Sequence, residues 1–123
     1  DICVPLSKLS ECISHAYQIL KREGMQAPLV AHVGDGNFHF SILVDPDSAE
    51  DIKRFNRIHQ QLVEEALKWG GSCTGEHGIG LGKIPYLKLQ HESALFMMIA
   101  IKQAVDPLNI FNPGKVFLMS EQI

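Results

Sequence analysis

Apolar and polar residues alternate regularly in one stretch near the middle of the N-terminal half. Residues 29–33 and 38–44 both have the character of β-strands, and the second has the period of two that is typical of a strand with one apolar face. The segment between them, Gly34-Asp35-Gly36-Asn37, consists of residues that tolerate positive φ. The pattern therefore predicts a β-hairpin with His32 opposite His39, on the face that points away from the core.

Helical periodicity appears in three further segments. The first begins after Ser7 and ends near Gly24, and the second begins at Ser48 with a Ser-x-x-Asp capping box and ends at residues 70–71. The third spans about residues 91–105 and is apolar on all sides. That third helix is expected to be buried on more than one side, or to present a face to another domain.

The remaining strand candidates are the apolar run at residues 2–4 and the short segment at residues 72–74. The elements then follow in the order strand, helix, strand, strand, helix. We expect an α+β fold in which helices pack on one face of an antiparallel sheet, as in a ferredoxin-like layer. Residues 1–123 suit a single domain, and because they include neither an initiator Met nor a leader segment, we expect that domain to be cut from a longer protein.

Composition and charge exclude several classes of protein. The formal charge of -3 gives no basic excess, so a nucleic-acid partner is not expected. The longest strongly apolar run, residues 94–101, is too short to span a bilayer, so no transmembrane segment is expected. The three cysteines show no CxxC spacing, which argues against a disulfide framework and for a reducing compartment, the cytoplasm or the mitochondrial matrix.

The glycine-rich loop at residues 75–83 does not fit the phosphate-binding motifs that it superficially suggests. Counting back from Lys83, the first glycine of a P-loop would fall on His77, and Ile84 replaces the required Ser or Thr. A dinucleotide fingerprint fails because the third glycine comes one position early. The acidic residues of 45–51 lack the spacing and central glycine of a calcium-binding loop, so turn and cap roles explain them better.

The candidate chemistry lies on two turns punctuated by glycine. His32 and His39 flank the first turn, and Glu76 and His77 lie in the second. Two imidazoles and a carboxylate form a ligand set that leaves open positions on Zn²⁺, Mn²⁺ or Fe²⁺, and a further histidine can act as a base near neutral pH. Histidines of a hairpin are also commonly solvated or hydrogen-bonded side chains, so the residues alone leave both interpretations open.

Three motifs, in the same order along the chain, resemble those of one group of flavoproteins. They are the run from His32 to His39, the run from Ser72 to Lys83, and Asp106-Pro107 followed by Asn112-Pro113-Gly114-Lys115. Together they closely resemble the C-terminal cap domain of FAD-linked D-2-hydroxyacid dehydrogenases, within the vanillyl-alcohol-oxidase type flavoproteins. The resemblance covers nearly the whole chain.

This resemblance implies the part of an oxidoreductase that closes over the flavin and builds the substrate pocket, while FAD is held chiefly by an N-terminal domain absent from this chain. It implies that His32, His39 and Glu76 bind a divalent metal, Zn or Mn with Fe as a third option, which chelates the substrate. It further implies that His77 takes the hydroxyl proton while C2 gives a hydride to the flavin. His77 and Asn112 would both reach the cofactor, although a plain C-terminal turn also explains Asn112.

The expected substrate follows from a closer resemblance to particular members of this group. Residues 72–80 resemble the lactate and glycolate members of the group more than the hydroxyglutarate member, so oxidation of D-lactate to pyruvate is the expected reaction. The alternatives are a glycolate oxidase subunit, D-2-hydroxyglutarate dehydrogenase, a non-catalytic metal-binding or interaction module, and a metal-dependent hydrolase. The expected partners are a small 2-hydroxyacid, the missing FAD-binding domain and an unknown electron acceptor, which would place the protein at a membrane surface. Alone, the chain is expected neither to hold FAD tightly nor to oxidise lactate.

Overall fold

The computed structural model describes residues 1–118, which fall into two compact units that divide after His77. The elements of the first unit are β1 (Ile2–Cys3), α1 (Leu9–Arg22), β2 (Leu29–His32), β3 (Asn37–Phe40) and α2 (Ala49–Lys68). The second unit contains α3 (Ile84–Val105). Helices combined with a small antiparallel sheet confirm the predicted α+β class.

The sheet of the first unit has the strand order β1-β3-β2, with both pairings antiparallel. An isolated antiparallel bridge joins Cys3 to Ser72, so the strand candidate at residues 72–74 lies beside β1, on the side away from β3, and forms a single bridge within residues 1–118. The chain order strand, helix, strand, strand, helix, bridge follows the ferredoxin-like pattern.

The hairpin forms where it was predicted, but its register differs. His32 pairs with Asn37 and His39 pairs with Val30, so the loop is residues 33–36 and the predicted pairing of His32 with His39 is wrong. Gly36 takes the left-handed conformation that ends the loop, with φ of 72°, and leaves Asn37 as the first residue of β3. Because partners change by two residues, His32 and His39 still share one face of the sheet.

Strand β3 is shorter than predicted because its partner strand begins after a proline. The Ser41 N–H donates to the Pro28 carbonyl at 3.1 Å, but Pro28 has no N–H with which to complete the ladder. The strand therefore ends at Phe40, and Leu43 is 88% exposed. The predicted strand to residue 44 is wrong beyond that point.

Both helices of the first unit pack on the apolar face of the sheet. Phe38 is 1% exposed, and Phe40 packs against the cluster formed by Ile19, Leu20 and Ile58 of α1 and α2. Helix α2 begins as predicted, since the Ser48 side chain accepts a hydrogen bond from the Asp51 N–H at 3.2 Å. Helix α1 begins later than predicted, because a short 3₁₀ turn, Leu6–Lys8, precedes it.

In the second unit, α3 is kinked at His91, whose φ and ψ are -130° and 31°. The predicted helix over about residues 91–105 begins at this kink, and α3 extends further towards the N-terminus, to Ile84. One side of α3 is buried in a cluster with Phe117, through Leu87, Leu95 and Ile99. Other apolar side chains of α3 are exposed, namely Leu89, Phe96, Met97, Ile101 and Val105. Within residues 1–118, none of the helices combines the length and apolarity needed to cross a membrane.

Candidate active site

The two hairpin histidines lie on the sheet face opposite the helices. His39 alternates with Phe38 and Phe40, whose side chains point into the core, so His39 points away from it. His32 pairs with Asn37, which lies two residues before His39 and shares its face, so His32 lies on the same side of the sheet. His32 and His39 are diagonal neighbours across β2 and β3, and their ring centroids are 6.2 Å apart. The altered register therefore keeps these two imidazoles together, but less closely than a directly opposed pair.

Glu76 lies against both of these histidines. Its Oε1 atom is 3.0 Å from His32 Nε2 and 3.7 Å from His39 Nδ1. The same oxygen is 3.7 Å from Nε2 of His77, and the rings of His39 and His77 have centroids 4.8 Å apart. Three imidazoles thus converge on one carboxylate oxygen, brought together from β2, β3 and the loop after α2.

Among residues 1–118, the residues whose possible ligand atoms lie close to one another differ from the predicted set. Ligand atoms of His39, Glu76 and His77 all lie within 4.8 Å of one another. The sequence prediction placed His32 in this group and gave His77 the separate role of a base. In the structure His32 contacts the same carboxylate oxygen at 3.0 Å, so all four side chains belong to one cluster.

His39 has the character of a metal ligand. Its side chain is 17% exposed, and its Nδ1 atom is buried with no hydrogen-bond partner, 3.7 Å from Glu76 Oε1. Burial, followed by the proximity of His77, lowers the pKa of the His39 imidazole. The neutral ring is the form that binds metals, so the donor set of this cluster fits a divalent cation.

A network that the sequence did not reveal holds the loop carrying Glu76 and His77. The Asp1 carboxylate accepts hydrogen bonds from Thr74 Oγ1 at 2.7 Å and from the N–H groups of Gly75 at 3.0 Å and His77 at 3.2 Å. Asp1 was not among the predicted site residues, because nothing local distinguishes an acidic residue that precedes a short strand. The signal that could have indicated Asp1 is that the N–H groups of this loop, which lies outside any helix or strand, need a hydrogen-bond acceptor.

Asn112 lies in the second unit, in the predicted turn. It is exposed, has φ of 46°, and its carbonyl accepts a hydrogen bond from the Lys115 N–H at 3.2 Å. The contact with flavin expected for Asn112 stays a prediction.

Comparison with known proteins identifies one family and several relatives of this chain. The profile of the family described as FAD linked oxidases, C-terminal domain, matches residues 1–116. A mitochondrial D-lactate dehydrogenase [cytochrome] of Arabidopsis thaliana is 44% identical over 94% of this chain and 21% of its own length. A probable mitochondrial D-lactate dehydrogenase of Danio rerio is 39% identical, over 98% of the chain and 24% of its own length.

A more distant relative has a different named substrate. The glycolate oxidase subunit GlcD of Bacillus subtilis is 34% identical over 95% of the chain and 25% of its own length. The chain thus spans between a fifth and a quarter of the length of these relatives.

Proposed function

Since this chain belongs to the family of C-terminal domains of FAD-linked oxidases, we propose that it is the substrate-binding domain of a flavin-dependent D-2-hydroxyacid dehydrogenase that oxidises D-lactate to pyruvate. Two of the relatives described above are named D-lactate dehydrogenases, and the one named for glycolate oxidation is less similar. The observation that carries the proposal is the convergence of His32, His39 and His77 on Glu76.

The cluster supplies the ligands for a divalent cation. His39 and Glu76 are its central donors, because His39 has an unpartnered Nδ1 and Glu76 contacts every histidine of the cluster. His32 completes the set, which keeps the ligand assignment made from the family resemblance. When bound, such a cation supplies a Lewis acid that lowers the pKa of a coordinated hydroxyl and fixes the orientation of the hydroxyacid.

His77 is then the group that removes the proton from the 2-hydroxyl. Its side chain is 57% exposed, so a substrate can approach it, and its Nε2 atom faces the cluster. A neutral imidazole there accepts the hydroxyl proton, as general base catalysis requires. When bound, FAD supplies the acceptor for the hydride that leaves C2, and Asn112 is proposed to contact the cofactor.

The names of the relatives also suggest the cellular setting. The relatives from Arabidopsis thaliana and Danio rerio are both named mitochondrial, and one carries the word cytochrome. We therefore place this protein in mitochondria, with a cytochrome as the electron acceptor.

The test uses the flavoprotein in which this chain is joined to its flavin-binding domain. D-lactate should bleach the flavin absorbance, and His77→Ala should slow that reduction by about 100- to 10,000-fold, the usual contribution of a general base. His59→Ala, which removes a histidine of α2, is the matched control and should reduce flavin at the normal rate. The chain without the flavin domain should neither hold FAD nor oxidise D-lactate.

Metal content separates this proposal from its alternatives. Elemental analysis should find Zn or Mn in the flavoprotein, and His39→Ala should remove it. Bound metal without reduction of FAD by D-lactate would instead support a metal-binding module, and unimpaired reduction by His77→Ala would refute the assignment of the base. Faster reduction by glycolate than by D-lactate would correct the substrate.

A further inference from the structure

The loop that carries Glu76 and His77 is organised around one acceptor. Between Thr74 and His77 the backbone forms neither helix nor strand. The Oδ2 atom of Asp1 accepts from the Thr74 hydroxyl at 2.7 Å and from the N–H groups of Gly75 and His77 at 3.0 and 3.2 Å. The Glu76 N–H is 3.4 Å from Oδ1 of the same carboxylate. Successive N–H groups of the loop thus point at a single side chain.

The carboxylate is itself held from the side of the sheet. Asn37, which is 3% exposed, donates from Nδ2 to Asp1 Oδ1 and to the Ile2 carbonyl, both at 2.8 Å. The loop approaches this amide so closely that a Cβ at Gly75 would lie 1.7 Å from Asn37 Nδ2. Asp1, Asn37 and Gly75 therefore form one packed junction between β1, β3 and the loop, which we call the Asp1 junction.

The Asp1 junction determines the directions in which the side chains of Glu76 and His77 point. Hydrogen bonds to an ionised carboxylate are stronger and shorter than neutral ones, so the junction fixes the backbone at Gly75 and His77 on both sides of Glu76. With the backbone fixed, Glu76 reaches His32 at 3.0 Å, and the ring of His77 lies 4.8 Å from that of His39. Asp1 makes none of these side-chain contacts itself, but each depends on the loop conformation that it maintains.

We propose that Asp1 is a positioning residue of the active site: its carboxylate, held by Asn37, sets the loop so that Glu76 and His77 meet the hairpin histidines. This inference deepens the proposed function and rests on it only in taking that cluster to be the site. Groups that do not contact the metal but orient its ligands through hydrogen bonds typically change metal affinity by about 10- to 100-fold when they are removed. Asp1 is expected to have an effect of that size.

The test compares Asp1→Asn with Asp35→Asn in this chain. Both variants remove one negative charge, but the exposed Asp35 lies in the hairpin loop and its carboxylate is not part of the Asp1 junction. In the metal-free chain, NMR hydrogen exchange at the Gly75 and His77 amides should become about 10- to 100-fold faster in Asp1→Asn and stay unchanged in Asp35→Asn. Titration with Zn²⁺ should show about 10- to 100-fold weaker binding for Asp1→Asn alone.

The two readouts keep this inference separate from the proposed function. If the wild-type chain binds neither Zn²⁺ nor Mn²⁺, the metal assignment fails, while faster exchange in Asp1→Asn with altered ring resonances of His39 and His77 still supports the positioning role. If Asp1→Asn exchanges at the wild-type rate, with wild-type histidine resonances, the inference is overturned and the proposed function stands.

A second variant keeps the test decisive if Asp1→Asn does not fold. Thr74→Val removes the hydroxyl that donates to the Asp1 carboxylate at 2.7 Å, and it retains the charge of Asp1. It should accelerate exchange at the Gly75 and His77 amides by about 10- to 100-fold, the value of one hydrogen bond to a charged group. Exchange at the wild-type rate in a folded Thr74→Val chain would overturn the inference.

Discussion

Gly75→Ala tests the packing of the Asp1 junction directly. The alanine Cβ would lie 1.7 Å from Asn37 Nδ2 and 2.5 Å from Asn37 Cγ, whereas carbon atoms in good contact are about 3.5 to 4.0 Å from a neighbour. The Asn37 side chain must therefore rotate away and lose its hydrogen bonds to Asp1 and Ile2.

The expected loss of stability follows from those two bonds. The bond to the Asp1 carboxylate is worth about 1.5 to 3 kcal/mol, and the bond to the Ile2 carbonyl about 0.5 to 1.5 kcal/mol. We therefore expect Gly75→Ala to lower the free energy of unfolding of the first unit by about 2 to 4 kcal/mol. With a urea dependence of about 1 to 3 kcal/mol per molar, the midpoint should fall by roughly 0.7 to 4 M.

The assay is urea unfolding followed by the fluorescence of Trp69, the single tryptophan, which ends α2 and so reports on the first unit. Gly34→Ala is the matched control, because an added Cβ there meets nothing within 4 Å. It should change the free energy of unfolding by less than about 0.5 kcal/mol, or stabilise by up to about 1 kcal/mol. Equal midpoints for Gly75→Ala and Gly34→Ala would refute the packing argument.

Two further predictions concern a helix start and a helix end. Ser48→Ala removes the N-cap of α2 and should lower the free energy of unfolding by about 1 kcal/mol in the same fluorescence assay. Ser48→Asp keeps a capping side chain and should retain the wild-type stability. Equal stability of Ser48→Ala and wild type would contradict the capping role of Ser48. In the second unit, burial opposes ionisation of Asp106, but hydrogen bonds from Lys102 and from the N–H groups of Ile110 and Phe111 lower its pKa overall. A carboxylate with a lowered folded pKa stabilises the protein above the pKa of an unfolded aspartate and loses this effect as pH falls through the folded value. Hydrogen exchange in α3 should therefore accelerate on acidification in wild type and depend less on pH in Asp106→Asn; an identical pH dependence would contradict this account.

Local patterns were sufficient for the elements of the fold but not for their register. The Ser48 cap and the alternation around Phe38 are properties of neighbouring residues, so the sequence predicts them correctly. Asn37 has a high turn propensity, yet it lies in β3 because its amide is bound by Asp1 and Ile2, which are distant in sequence. The early end of β3 depends on Pro28, which becomes relevant only once the register is known.

For the candidate site as well, local sequence patterns predicted some features, and contacts between residues distant in sequence were missed. His32 and His39 were correctly expected on one face, because a change of partner by two residues preserves the face of every side chain. Glu76 was expected near them, and the structure brings its carboxylate against both imidazoles. The ligand and base roles of the cluster remain proposals. Asp1 was missed, because the loop donors whose hydrogen bonds it accepts lie 73 to 76 residues further along the chain.

That separation along the chain has a consequence for how the first unit folds. Joining Asp1 to the Gly75 loop closes a ring that includes nearly every element of the unit, and the entropy lost in closing a ring of that length is recovered only when the core has formed. The cluster is therefore completed late, together with the unit as a whole. A cation that binds only the completed cluster must, by mass action, raise the stability of the entire unit.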